Sequence, residues 1–333
     1  MMKSGDVPEV HVKVGAHKHS FYCNATCDVA RQAGLFCAND CGLDGEEWRR
    51  CASSVWREFG EKEVMLSNLN GWNGIGFGAY PSMIERTNNW FETTGWRFLI
   101  LLQDFIWEKT EGFVPAPLRI LEVGSFEGGS TTWWLRYLLA NSASTLTAVD
   151  LWTSFPANPE WRDGFGEESA QDAADSKDYF DAVRKRFARN IVACPNSHKT
   201  EALRGDSMST LASYLVQGRE FDFMYIDGSH LAGDVMADIL MAWRMLRAGG
   251  YMLLDDYKWD GKGVGFGRGG GGDTDDECAA SIRSNGKVSM QTALDLALSS
   301  APGGAEVVYC GYQLLVRKLA AYPNIMPPVR VAL

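Results

Sequence analysis

An α/β fold is predicted for this 333-residue chain by three observations. From Leu118 onward, short apolar runs alternate with stretches of helical spacing. A glycine-rich turn joins the first run to its helix, and aspartates stand at the ends of later runs. Repeated β-α-β units imply a parallel sheet covered by helices on both faces, with ligands expected at the carboxyl ends of the strands.

Taken in order, residues 118–123 read as a buried strand, 124–129 as a tight turn, and 130–140 as a helix opened by hydroxyl residues. Residues 145–149 form a second strand that ends at Asp150. A third, 200–204, precedes Gly205-Asp206-Ser207 and a helix through Val216. Residues 221–226 run into Asp227-Gly228-Ser229-His230, and 232–246 is an amphipathic helix stopped by Gly249-Gly250. The strand 251–254 ends in Asp255-Asp256. A helix near 290–298 and strands at 307–310 and 313–317 complete the pattern. The class is therefore Rossmann-like: a doubly wound, mostly parallel sheet with a C-terminal antiparallel hairpin.

Upstream, residues 1–70 read as a helical, Cys-rich N-terminal extension with one helix near 44–61, and residues 71–117 as a helical lead-in to a main domain at 118–333. Gly, Asn and Pro mark 70–82 as a loop, while apolar spacing from Met83 to Lys109 is helical. Residues 261–272 are a glycine-rich loop, and 155–187 read either as a substrate lid or as a solvated insertion.

Five of the eight cysteines (Cys23, Cys27, Cys37, Cys41, Cys51) follow the pattern C-x3-C-x9-C-x3-C-x9-C, with His11, His17 and His19 just upstream. On a helix, x3 spacing puts both thiols on one face, so two such pairs could cross-link a helical hairpin. Zinc held by Cys and His, and plain reduced thiols, are the other two readings.

The charge balance narrows the partners. Acidic residues outnumber basic ones, 42 to 32, and no Lys/Arg block occurs, which argues against nucleic acid. The most apolar stretch, 96–107, is broken by Arg97, Gln103 and Asp104 and falls short of the roughly 20 residues that span a bilayer, so no membrane partner is expected. Residues 1–11 lack the apolar core of a signal peptide, which favours the cytoplasm, while the cysteine cluster leaves an oxidising compartment open.

The turn from Glu122 to Ser130 suits an anion, because its glycines admit a close ligand and the N–H groups at the helix start favour a carboxylate or phosphate. Its G-x-x-x-G-G spacing departs from the G-x-G-x-x-G of nicotinamide dinucleotide sites. At the end of the second strand, Asp150 can accept hydrogen bonds from ribose hydroxyls, and with Gly205-Asp206-Ser207 at the third it marks a nucleoside site.

The strings ILEVGSFEGGSTTWWL, TAVDLW, RGDS, FDFMYIDGSH and LRAGGYMLLDDY resemble those of class I S-adenosylmethionine-dependent methyltransferases. They are most similar to the metal-dependent sugar O-methyltransferases of the macrocin O-methyltransferase group and its cephalosporin-hydroxylase-like relatives. The resemblance covers about 118–257. It implies that Gly124, Ser125, Gly128 and Ser130 hold the methionine end of S-adenosylmethionine, with Glu122 near its amino group. It also implies Asp150 on the ribose hydroxyls and Asp206 with Ser207 near the adenine.

Methyl transfer from a sulfonium needs little help with the leaving group; the difficulty is the proton of an unactivated alcohol. Asp227 ends one strand, Asp255 and Asp256 the next, and on neighbouring strands about 4.8 Å apart their carboxylates converge. All-oxygen ligands select a hard ion, Mg²⁺ or another divalent cation. His230 is placed to be the base. The plainer reading makes each aspartate a helix cap and His230 a loop residue. The resemblance implies the catalytic roles. The expected activity is methyl transfer to a hydroxyl of a small glycoside or polyol; a catechol-type O-methyltransferase and a non-catalytic cofactor-binding scaffold are the rivals, and a homo-oligomer is compatible with each.

Overall fold

The structure, a computed structural model, describes residues 9–14, 17–22, 32–33, 35–43, 47–55, 58, 85, 87, 102, 116–153, 177–229, 231–258 and 290–321. The chain divides into two compact units, Met1–Ser207 and Met208–Leu333.

The first unit begins with a hairpin of β1 (Glu9–Val14) and β2 (His17–Tyr22). Its parallel run consists of β3 (Arg119–Val123), β4 (Thr145–Asp150) and β5 (Thr200–Arg204), in the order β5-β4-β3. Ile120, Leu121 and Val123 on β3 and Leu146, Ala148 and Val149 on β4 are all buried, the near-continuous apolar pattern of strands covered on both faces. Helix α1 (Gly129–Tyr137) follows β3, and α2 (Lys177–Val192) precedes β5. Lys199 closes the stretch after α1 by donating to the carbonyls of Leu139 and Asn141, the latter at 2.7 Å.

The second unit takes in most of α3 (Ser207–Val216), then β6 (Phe221–Ile226), α4 (Ala232–Met245), β7 (Leu246–Leu254), α5 (Met290–Ser299), β8 (Ala305–Cys310) and β9 (Leu314–Lys318). β6 pairs with β7 in parallel; β9 is antiparallel to both β7 and β8, giving the order β6-β7-β9-β8. α4 buries Val235, Ile239, Ala242 and Trp243. The buried amine of Lys318 caps that helix, donating to the carbonyls of Trp243 and Leu246 at 2.7 Å each, and burial lowers its pKa.

The fold is thus α/β and Rossmann-like, mostly parallel and closed by a C-terminal antiparallel hairpin, as the sequence leads one to expect. Four expectations need correction. The N-terminal extension is not simply helical: besides a helix over 47–55 it contains the β1–β2 hairpin, whose Val10, Val12 and Val14 alternate with His11 and Lys13 in the period of a strand. α2 occupies part of the stretch read as a lid or insertion. Gly249-Gly250 does not stop α4; β7 begins directly at Leu246, and the pairing with β6 slips between Phe221↔Leu246 and Phe223↔Tyr251. The glycines fall inside that slip, where a Cβ on Gly250 would lie 2.8 Å from the Asp222 carbonyl.

The fourth correction concerns the cysteines. Cys37 is bonded to Cys51, with their Cα atoms 5.9 Å apart, and Cys41 is free and buried, so neither thiol of this x3 pair cross-links to the Cys23/Cys27 pair. Among the described residues no group of three His, Cys, Asp or Glu could hold a metal, and His11 and His19 lie on opposite faces of the hairpin. Cys310 is also in a disulfide. Cys23, Cys27, His230, residues 70–82, nearly all of 83–109 and residues 261–272 lie outside the described residues. Among the described residues no helix is long and apolar enough to cross a membrane.

Candidate active site

The glycine turn of the first unit is built around two acids. Glu122, fully buried on β3, accepts four hydrogen bonds: Ser130 Oγ at 2.6 Å and Trp134 Nε1 at 3.0 Å on Oε1, Ser125 Oγ at 2.9 Å and Thr131 Oγ1 on Oε2. Each oxygen carries two donors, so the carboxylate shapes the turn and the start of α1. Burial raises its pKa, and the donors from Ser130, Thr131, Ser125 and Trp134 oppose the rise.

Asp150, at the end of β4, clamps the turn from the other side. Its Oδ2 accepts the backbone N–H of Ser125 and of Phe126, both at 2.8 Å, and its Oδ1 accepts that of Trp152 at 2.6 Å. Phe126 (φ 45°) and Trp152 (φ 40°) are left-handed, a costly conformation for aromatic residues, and Trp152 Nε1 donates to the Phe126 carbonyl at 2.9 Å. The clamp holds both in place. Oδ1 carries one donor and retains acceptor capacity. Gly124 N–H donates to the Val149 carbonyl and Gly205 N–H to the Asp150 carbonyl, each at 2.9 Å, which brings Asp206 and Ser207 to the same edge of the strands. Gly128 begins α1 without a side-chain cap; at φ 86° it suits only glycine well.

The lead-in is fastened to this turn through Glu127. Its buried carboxylate pairs with Arg186 Nε at 2.5 Å and accepts Thr87 N–H at 2.7 Å, while Asn190 on α2 bonds the Glu127 and Glu85 carbonyls.

In the second unit, Asp227, Asp255 and Asp256 line one cavity together with Ser229 and the apolar Val235 and Leu294. The phenol of Tyr225 lies at the Oδ2 atoms of both Asp227 (3.0 Å) and Asp255, although it has one proton to donate. Tyr312 donates to Asp256 Oδ1. Asp255 also takes the Asp256 N–H at 2.9 Å and a hydrogen bond from Gln313. Burial, then the charge of Asp256, pushes the Asp255 pKa up to about 6 against those hydrogen bonds. Burial and the neighbouring carboxylates push Tyr225 and Tyr312 upward as well, so both phenols remain protonated donors.

Comparison with known proteins bears on the stretch that holds both groups of acids. Residues 121–257 match the model of a family described as "Methyltransferase domain". That stretch of the chain is similar to methyltransferase domains. No curated protein matches the sequence. Among solved structures, the O-methyltransferase TomG from Streptomyces achromogenes, in complex with S-adenosylmethionine, is 16% identical over 61% of this chain and 73% of its own, with a TM-score of 0.38. A Bacillus cereus O-methyltransferase is 16% identical over 78% and 90%, at 0.39, and MycE of the mycinamycin pathway 14% over 93% and 68%, at 0.38. Likenesses this weak add nothing to the assignment.

Around the cavity, two features escape a reading of the sequence. Tyr225 looks like one more apolar strand residue, and Tyr312 and Gln313 lie more than fifty residues beyond Asp256 on a hairpin tip. No spacing links them to the acids. The donor set of the cavity fits a hard cation in kind, since three carboxylates line it, while among the described residues no three metal-capable side chains form a closed ligand group.

Proposed function

We propose that the chain is an S-adenosylmethionine-dependent O-methyltransferase acting on a hydroxyl of a small glycoside or polyol, with Mg²⁺ or another divalent cation at Asp227, Asp255 and Asp256. The observation that carries the reading is the family match, which spans both the glycine turn and the acid-lined cavity. Residues 118–333 are taken as the catalytic domain, 71–117 as its lead-in and 1–70 as an extension.

The cofactor falls to the turn. Gly124, Ser125, Gly128 and Ser130 receive its methionine end, since the uncapped start of α1 suits a carboxylate. Asp150 has a spare acceptor for a ribose hydroxyl, Asp206 and Ser207 stand at the adenine side, and Glu122 supports the turn from beneath. S-adenosylmethionine supplies a methyl group on a sulfonium, and a divalent cation supplies the Lewis acidity that lowers a hydroxyl pKa. The chain's own task is at the acceptor. His230, three residues beyond Asp227, takes the hydroxyl proton, and Val235 and Leu294 keep part of the cavity wall apolar.

Mass spectrometry of products from a panel of glycosides, polyols and catechols, with isotope-labelled cofactor, tests the reading. A labelled sugar or polyol ether, lost in excess EDTA and restored by Mg²⁺ or Mn²⁺, is the expected result. Full turnover in EDTA removes the cation, label on catechols alone changes the acceptor class, and failure to bind S-adenosylhomocysteine rejects the whole.

A further inference from the structure

We infer that Tyr312, at the tip of the β8–β9 hairpin, is a positioning residue for the acid-lined cavity: its phenol orients the Asp256 carboxylate. The inference rests on the cation role proposed for Asp227, Asp255 and Asp256. Three interactions from two adjacent tip residues grip the segment that follows β7. Tyr312 Oη donates to Asp256 Oδ1, the Tyr312 carbonyl accepts the Lys258 N–H at 3.2 Å, and the Gln313 side chain bonds Asp255. The gripped segment is not at rest on its own. Asp256 has φ 54°, a left-handed conformation that a non-glycine residue keeps only when its surroundings hold it there.

The tip is shaped for this contact. Gly311 N–H donates to the Gln313 carbonyl at 2.9 Å, and a Cβ on Gly311 would lie 2.2 Å from the Tyr309 hydroxyl, so a larger residue there would make the Tyr309 ring move. From the β6 side, Tyr225 contacts Asp227 and Asp255. From the hairpin, Tyr312 gives the Asp256 carboxylate a donor that orients it. Carboxylates that ligate a metal depend on such outer hydrogen bonds, and losing one typically costs 10–100-fold in affinity.

The test is a Mn²⁺ titration followed by electron paramagnetic resonance on the full chain and its Tyr312→Phe variant, with thermal unfolding and S-adenosylhomocysteine calorimetry on the same samples. Tyr312→Phe should bind Mn²⁺ about 10–100-fold more weakly, with an unchanged Tm and unchanged S-adenosylhomocysteine affinity. Asp256→Asn should lose a similar factor, and the double variant little more than either single one, because the two residues act as a unit. Parent-like Mn²⁺ affinity in folded Tyr312→Phe, or additive losses, overturns the inference while leaving the cation reading intact. Absence of Mn²⁺ binding in the parent overturns both. If Tyr312→Phe does not fold, parent-like affinity in Asp256→Asn is the overturning result.

Discussion

The acids of the glycine turn and the acids of the second-unit cavity are used in opposite ways. Glu122 and Asp150 accept seven hydrogen bonds between them, four and three, from hydroxyls, an indole and backbone amides of their own surroundings. Those bonds fix a turn that contains left-handed Phe126. Asp255 and Asp256 instead sit side by side on a cavity wall, held by phenols, with Asp255 pushed up to about 6 by burial and its neighbour's charge. A carboxylate saturated by internal donors builds a scaffold. Carboxylates crowded on a cavity wall raise one another's energy and leave chemistry to be done there.

The sharpest break of this contrast is Asp227→Asn. It should lower kcat about 10³-fold, as expected for loss of several kcal/mol of charge stabilisation, while S-adenosylhomocysteine affinity in calorimetry stays within twofold. Comparable kcat would return Asp227 to a helix cap.

On the other side, Glu122→Ala strands four buried donors and opens a cavity, and a loss of about 3–5 kcal/mol in urea unfolding is expected. Glu122→Gln keeps the shape and sharpens the account through pH. Because burial raises the folded-state pKa of Glu122, its contribution to stability is full below the unfolded value of about 4.3 and is lost as pH rises through the folded pKa. The parent should therefore lose ground to Glu122→Gln as pH rises above about 4.3; a constant difference across that rise would show that the carboxyl does not titrate differently on folding.

A smaller effect is expected at Asp150, which combines both uses. Asp150→Ala frees three backbone N–H groups and removes a ribose acceptor, so stability and S-adenosylhomocysteine binding should each fall by about 1–3 kcal/mol. A loss in stability alone would make Asp150 pure scaffold. The smallest effect on chemistry is expected in the extension. Replacing Cys37 and Cys51 by serine opens a loop of separation 14, which costs about 3 kcal/mol of local stability in the chain-entropy view, and kcat should not change. A fall in kcat would tie the extension to the active site.

Much of the fold from β3 to β7 was legible in the residue order, for a local reason. β3, β4 and β6 are short, mostly buried stretches rich in apolar residues, and the glycine turn and strand-end aspartates follow them at short range, so fold class and candidate acids emerge from neighbours in sequence. The bulge at Gly249-Gly250 was read as a helix stop, because a glycine pair ends a helix and opens a strand slip equally well.

Chain order alone therefore determined the α/β class, the turn at Gly124–Ser130 and the strand-end positions of Asp150, Asp227, Asp255 and Asp256. Only tertiary structure decided what those acids face. Whether a buried carboxylate is filled by donors, like Glu122, or lines a cavity, like Asp256, depends on groups brought from distant parts of the chain, Trp134 in one case and Tyr312 in the other. Hydrogen bonds reach about 3 Å while the residues that make them can lie fifty or more apart in the chain, and no local pattern records that meeting.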